Sequence, residues 1–291
     1  MKKITALLVA LLVLAGCSDA RVKPASNETI FTVGNQTVTE TQLFEVMKRQ
    51  DNGATVIQNA EQSVTKDIND PSIEEAAQAQ LGEAKSILGD QFPLLLEQLN
   101  MGSEQDYLDK VVYPTLKMEF LVKQTIEADF DTLVKEYQPR KANIVQIQTV
   151  DQANEALTRI QAGEKMEDVA KDVTVANSQY TGKSAIYNLK GTQFPSPVSQ
   201  FMNQQQGPGL SGVLKDETNG TAYIVEIVET DANKFKDDLL NQWKKDQALT
   251  KTYRAKVFSD NNFKVYDKDI LDAVTKSYPR IPRLIFHINT P

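Results

Sequence analysis

Histidine and cysteine, the side chains most often recruited for chemistry at neutral pH, each occur once in this 291-residue chain. His287 lies five residues from the end and Cys17 near the start, so Cys/His zinc clusters, H-E-x-x-H sites and a Cys-His nucleophile pair are excluded. A Ser-His-Asp triad would have to use the terminal histidine. Gly182-Lys183-Ser184 has the ending of a phosphate-binding loop, but the earlier glycine that such a loop needs falls on Asn177, which points to a surface turn. The acidic groups Asp67–Asp70 and Asp267–Asp269 lack the glycine and carboxylate spacing of a calcium loop and read as solvated surface. No metal or cofactor is expected. Cys17 is the one side chain whose setting points to a definite reaction.

That setting is an N-terminal leader. Lys2 and Lys3 precede the apolar run Ile4–Ala15, which is too short to span a bilayer comfortably, and Leu14-Ala15-Gly16-Cys17 closes it. This resembles the lipobox of bacterial lipoproteins, which implies cleavage after Gly16 and lipid on the Cys17 sulfur. The two leader lysines leave with the signal, taking the net charge from −7 to about −9. So acidic a chain has no general attraction for nucleic acid. No second apolar run reaches the ~18 residues of a membrane span. Without another cysteine no internal disulfide forms, and core packing alone must stabilise the fold.

Behind the leader, Ser18–Asn27 reads as a flexible tether. Ile30–Thr39 predicts a hairpin turning at Gly34-Asn35, and Thr39 with Gln42 forms a capping box for a helix bearing Leu43, Val46 and Met47. The polar stretch Gln50–Glu75 reads as loop with frayed helix. Helical spacing returns at Pro93–Leu99 and Ser103–Tyr137, with Pro114 kinking or splitting the second. From Gln138-Pro139-Arg140 the period changes. A strand over Asn143–Thr149, a helix capped by Asp151, a shorter helix, a strand over Gly182–Leu189, a helix from Pro197 and two closing strands ending at Ala222–Val228 make a β-α-α-β-α-β-β unit. After Asp231, Leu239, Leu240, Trp243, Leu249, Tyr253 and Val257 line one broad helical face, and Ile270, Leu271 and Val274 a shorter helix. The fold class is α+β, with helical flanks that pack together around an inserted unit.

Three blocks resemble the PrsA/PrtM foldase lipoproteins. TVGNQTVTETQLFEVM is similar to the family's opening, VFSDNNFKVYDKDILDAV to its ending, and QAGEKMEDVAKDVT with QQQGPGLSGVL to its parvulin-type isomerase domain. The resemblance implies a mainly helical N/C-terminal chaperone domain with an inserted parvulin-like domain. Its boundaries are a signal peptide 1–16, tether 17–27, chaperone segments 28–137 and 232–278 around a parvulin-like domain 138–231, and a tail 279–291. It also implies a protein on the extracytoplasmic face of a Gram-positive cell membrane, held through Cys17, that can form homodimers and assists unfolded secreted proteins. The family's two active-site histidines map to Asn143 and Tyr223, its nearby Asp or Cys to Ala176, an occasional serine to Gly220, and its proline-pocket Met and Phe to Phe194 and Val198. With those replacements the resemblance implies a parvulin fold with little or no isomerase activity. An isomerase remodelled around Asn143, Tyr223 and Phe194 is one alternative; a surface-binding solute receptor or adhesin is another.

Overall fold

The computed structural model describes residues 21–50 and 53–281; the leader, Cys17, His287 and the tail beyond Ile281 lie outside the described residues. The chain forms two units. One combines the segments up to Thr125 and from Gln247 onward, and the other is Ile126–Asp246. The second unit therefore extends past the sequence-derived limits of 138 and 231 at both ends.

In the first unit, strands β1 (Thr29–Val33) and β2 (Gln36–Thr39) form an antiparallel hairpin across Gly34-Asn35, with Gly34 at φ +59° where a side chain would be strained. Helix α1 (Glu40–Gln50) follows, and Gln42 Oε1 accepts from the Thr39 N–H at 3.0 Å, one half of the expected capping box. The stretch expected as loop is instead helix: α2 (Ala54–Thr65) and α3 (Pro71–Leu88), the latter capped by Asp70 with Pro71 in its first turn. Ile73, Ala77 and Leu81 of α3 pack on Phe92 of α4 (Phe92–Gln98) and on Leu108, Val112 and Leu116. Next come the one-turn α5 (Glu104–Tyr107), a widened π turn (Leu108–Val112) and α6 (Tyr113–Ala128). Pro114 has no N–H for the Lys110 carbonyl, and Gln58 Nε2 donates to that carbonyl at 3.3 Å instead. Proline therefore widens this turn without ending the helix.

The second unit begins with α7 (Phe130–Tyr137) and strand β3 (Pro139–Ile147). Then follow α8 (Val150–Gln161), α9 (Met166–Val173), β4 (Thr181–Asn188), α10 (Ser196–Gln204), short β5 (Gly209–Leu210) and β6 (Leu214–Asp216), β7 (Thr221–Glu229) and α11 (Lys236–Trp243). Thr149, not Asp151, caps α8, its hydroxyl accepting from the Gln152 N–H at 3.2 Å. The sheet is antiparallel in the order β4-β3-β7-β5, with β6 also on β7. Alternation along β3 and β7 gives the sheet two apolar faces. Val145, Ile147, Ala222 and Ile224 meet α8 and α9, whereas Ala142, Ile144, Val225 and Ile227 meet Val198 and Met202 of α10. The single helical face expected from Leu239 to Val257 breaks at Lys244–Asp246. Trp243 packs within the second unit, its ring 5.8 Å from Phe130 and 6.1 Å from Tyr137.

Helices α12 (Gln247–Asp260) and α13 (Lys268–Ser277) complete the first unit. Arg254 of α12 pairs with the buried Glu61 of α2. A Cβ at Gly53 would come within 2.5 Å of Val274 in α13, so glycine permits that approach. Asp267, expected at the solvated surface, is buried: it caps α13 and holds the Lys48 ammonium at 3.1 Å. Arg280 donates to the Ala248 carbonyl and the Thr252 hydroxyl, both at 2.7 Å, so the described start of the tail is docked.

Candidate functional site

Strand pairing in the second unit sets Gln146 of β3 directly across from Tyr223 of β7. Together with Asn177–Tyr180 and Gln193–Pro195 they line a shallow groove of about 590 Å³ on the α10 face of the sheet. The loop after α9 is fixed to β3 by the Val175 N–H donating to the Gln146 carbonyl (3.0 Å) and the Gln146 N–H donating to the Tyr180 carbonyl (3.1 Å). Ser178 Oγ donates to Gln146 Oε1 at 2.7 Å and accepts from the Tyr180 N–H at 3.0 Å. Gln146 is thereby held in one orientation at the groove floor.

Tyr180, Phe194 and Tyr223 of the groove belong to an aromatic cluster that includes Tyr187 behind them. Tyr180 meets Tyr223 edge to face at 5.9 Å, Tyr187 lies 6.5 Å from Tyr180, and Phe194 lies 5.6 Å from Tyr187. Burial pushes the Tyr187 hydroxyl up to about 12 and raises that of Tyr180. Both are neutral at physiological pH, so they supply ring faces and O–H groups but no base. Among the described residues no group of three or more acidic, His or Cys side chains could hold a metal ion. This arrangement can bind apolar and amide groups; its lining includes no histidine, cysteine or carboxylate.

The sequence profile of prokaryotic membrane lipoprotein lipid attachment sites matches residues 1–18, which contain the only cysteine. Over 91% of its length the chain is 24% identical to 93% of the foldase protein PrsA of Streptococcus gordonii. Over 94% it is 23% identical to 95% of foldase protein PrsA 2 of Bacillus cereus. Across nearly its whole length the chain is therefore similar to PrsA foldases. A solved structure of a peptidylprolyl isomerase (PrsA) from Bacillus cereus aligns with 86% of this chain and 99% of its own at 18% identity and a TM-score of 0.44. The chain is a lipid-anchored cell-surface protein, and no described helix is long and apolar enough to cross a membrane.

The six positions mapped from the resemblance do not come together. Tyr223 and Phe194 line the groove. Val198 is fully buried in the core beneath, among the residues of the α10 face. Ala176 is exposed in the loop, next to Asn177, and Gly220 is exposed in the β6–β7 turn at φ +69°. Asn143 is on the opposite face of the sheet: it pairs with Glu226, and its Nδ2 donates to Glu226 Oε2 at 2.7 Å. There it lines a separate cleft of about 390 Å³ with Ser184 and the α8–α9 connection. The strand residue that does reach Tyr223 is Gln146, three positions on and therefore on the other face. Gly182, expected in a surface turn, is buried at the start of β4, where a Cβ would lie 2.7 Å from the Met166 carbonyl. Its glycine serves packing against α9 and not phosphate binding.

Proposed function

We propose that this chain is a membrane-anchored extracytoplasmic foldase that binds unfolded exported proteins, and that its second unit binds without isomerising. The observation that carries the reading is the PrsA similarity running through more than nine-tenths of the chain behind a lipid attachment site. The acidic net charge argues against nucleic acid as a partner. A solute receptor would need two α/β lobes; the described strands form one five-stranded sheet and one hairpin.

Rotating a prolyl bond means crossing a barrier of ~18–20 kcal/mol set by amide resonance, which a catalyst must lower. A catalyst must desolvate or polarise the amide, and a groove offering Gln146, tyrosine rings and Phe194 supplies contact but no histidine, cysteine or carboxylate. Asn143, on the far face, cannot join Tyr223 in a remodelled site. The expected result in a proline-tetrapeptide isomerisation assay is a rate within a few-fold of the uncatalysed one. Acceleration abolished by Tyr223→Ala would overturn the non-catalytic part of this reading.

Chaperone function is tested separately. At stoichiometric amounts the mature protein is expected to suppress aggregation of a denatured exported protein, followed by light scattering. No suppression would leave the foldase reading without support.

A further inference from the structure

The segment that leads from the lipid to the fold is short. Arg21 Nε donates to Asp269 and the Val22 N–H to Asp267, both at 2.8 Å, at the N-terminus of α13. Ser26 bonds Glu40, and Asn27 Oδ1 accepts from the Thr41 N–H, at the start of α1. Residues 21–27, read from sequence as tether, are thus part of the first unit. From Cys17 to Arg21 there are four residue steps, an extended reach of at most ~14 Å. The polar headgroup region on one side of a bilayer is itself roughly 5–7 Å deep. A body fastened that close must present some surface to the lipid.

The residues nearest the anchor provide one. Among the described residues, seven of the twelve exposed large apolar side chains lie between Val22 and Met47. Phe31 and Val33 sit on the hairpin, Val33 at 69% exposure. Leu43, Val46 and Met47 form a stripe at three- and four-residue spacing on α1, while Phe44 and Lys48 turn inward. Tyr266, 67% exposed, immediately precedes the Asp267 that holds Val22, and tyrosine suits an interface wet on one side and apolar on the other.

We propose that this face of the first unit, the hairpin with the Leu43–Val46–Met47 stripe, is a membrane-contacting surface seated in the interfacial layer of the bilayer. The anchor then sets the orientation of the protein as well as its location. The proposal rests on lipid attachment at Cys17. The occupant is lipid because at most ~14 Å of chain joins Cys17 to the first docked residue and roughly 5–7 Å of it is spent crossing the headgroup layer, which keeps this region within several ångströms of the bilayer surface.

The lipidated full-length protein can be tested in phosphatidylglycerol/phosphatidylcholine vesicles carrying a nitroxide lipid. Cys17 is the only native cysteine and its sulfur is blocked by lipid, so Val33→Cys, Met47→Cys and, outside the patch, Ile87→Cys each accept one fluorophore. The expected result is at least threefold stronger nitroxide quenching at 33 and 47 than at 87, with the reverse order for aqueous iodide. Vesicle retention with equal quenching at all three positions would overturn the proposal alone. Loss of retention would overturn the anchor reading and the proposal with it. Labels at 33 and 47 that become shielded without lipid, in mature Cys17→Ser protein, as protein or a denatured client is added would assign the face to a second copy or a client and also overturn it.

Discussion

Asp267→Ala is expected to destabilise the first unit by about 4 kcal/mol, read as a fall of roughly 10 °C in its melting temperature. The Lys48 side chain is 1% exposed, and its ammonium lies 3.1 Å from Asp267, 2.7 Å from Glu45 and 3.8 Å from Asp269. Removing a partner from a buried pair leaves the other charge desolvated without compensation, at a cost of about 3 kcal/mol where other carboxylates remain. Asp267 also accepts from the Asp269 and Ile270 N–H groups, and losing that cap adds about 1 kcal/mol. Lys48→Met should cost much less, because it removes the buried cation along with its need for a partner. The double variant Lys48→Met/Asp267→Ala should then be more stable than Asp267→Ala alone, a sign that simple loss of packing does not produce. Burial pushes Asp267 up, but the Ile270 N–H, the Lys48 ammonium and the Val22 N–H outweigh it and hold its carboxyl below the usual range. Its contribution is therefore complete above the unfolded carboxylate range near pH ~4 and disappears as pH falls through the lower folded value. Wild type and Asp267→Ala should draw together in stability as the pH falls through and below the carboxylate range, and a constant gap would contradict this account.

The periodic parts of the chain were legible. The hairpin at Gly34-Asn35, the β7 strand and the strongly amphipathic helices follow from their patterns, whereas β3 begins at Pro139, four residues before the expected Asn143 and inside the stretch read as a break. What escaped was set by partners distant in sequence. In α2 the buried residues are Ile57, Glu61 and Thr65, and only the first is apolar; Glu61 turns inward because Arg254, 193 residues on, meets it. Asp267 read as surface for the same reason, since nothing nearby in sequence announces Lys48. The site failed on register. Alternation identifies the two faces of a strand but not which face meets a given residue of its neighbour, and an odd offset moves a side chain through the sheet. The pairing of Gln146, not Asn143, with Tyr223 had no local signature. Tyr180 could have been noticed as the one aromatic residue after the polar run Asn177–Gln179, but its place beside Tyr223 depends on the loop bonded to β3.

Trp243→Ala is expected to cost the second unit about 3–5 kcal/mol, whereas Trp243→Phe should cost less than about 1.5 kcal/mol. Helical periodicity alone assigned Trp243 to a face shared with Leu249 and Tyr253; the break after α11 leaves it among Phe130, Tyr137 and the fully buried Leu239. At 1% exposure it is among the largest wholly buried side chains, and alanine would remove the ring on which two other aromatics rest. Its Nε1 is buried with no hydrogen-bond partner among the described residues, so the indole N–H is a desolvated donor that detracts from stability. Phenylalanine keeps most of the apolar contact and removes that donor, and the two effects oppose each other. Urea unfolding followed by circular dichroism compares the two variants, and the fluorescence of the single tryptophan in the wild type identifies which transition belongs to the second unit. A Phe variant as unstable as the Ala variant would mean that the N–H is satisfied and that the site depends on the indole itself.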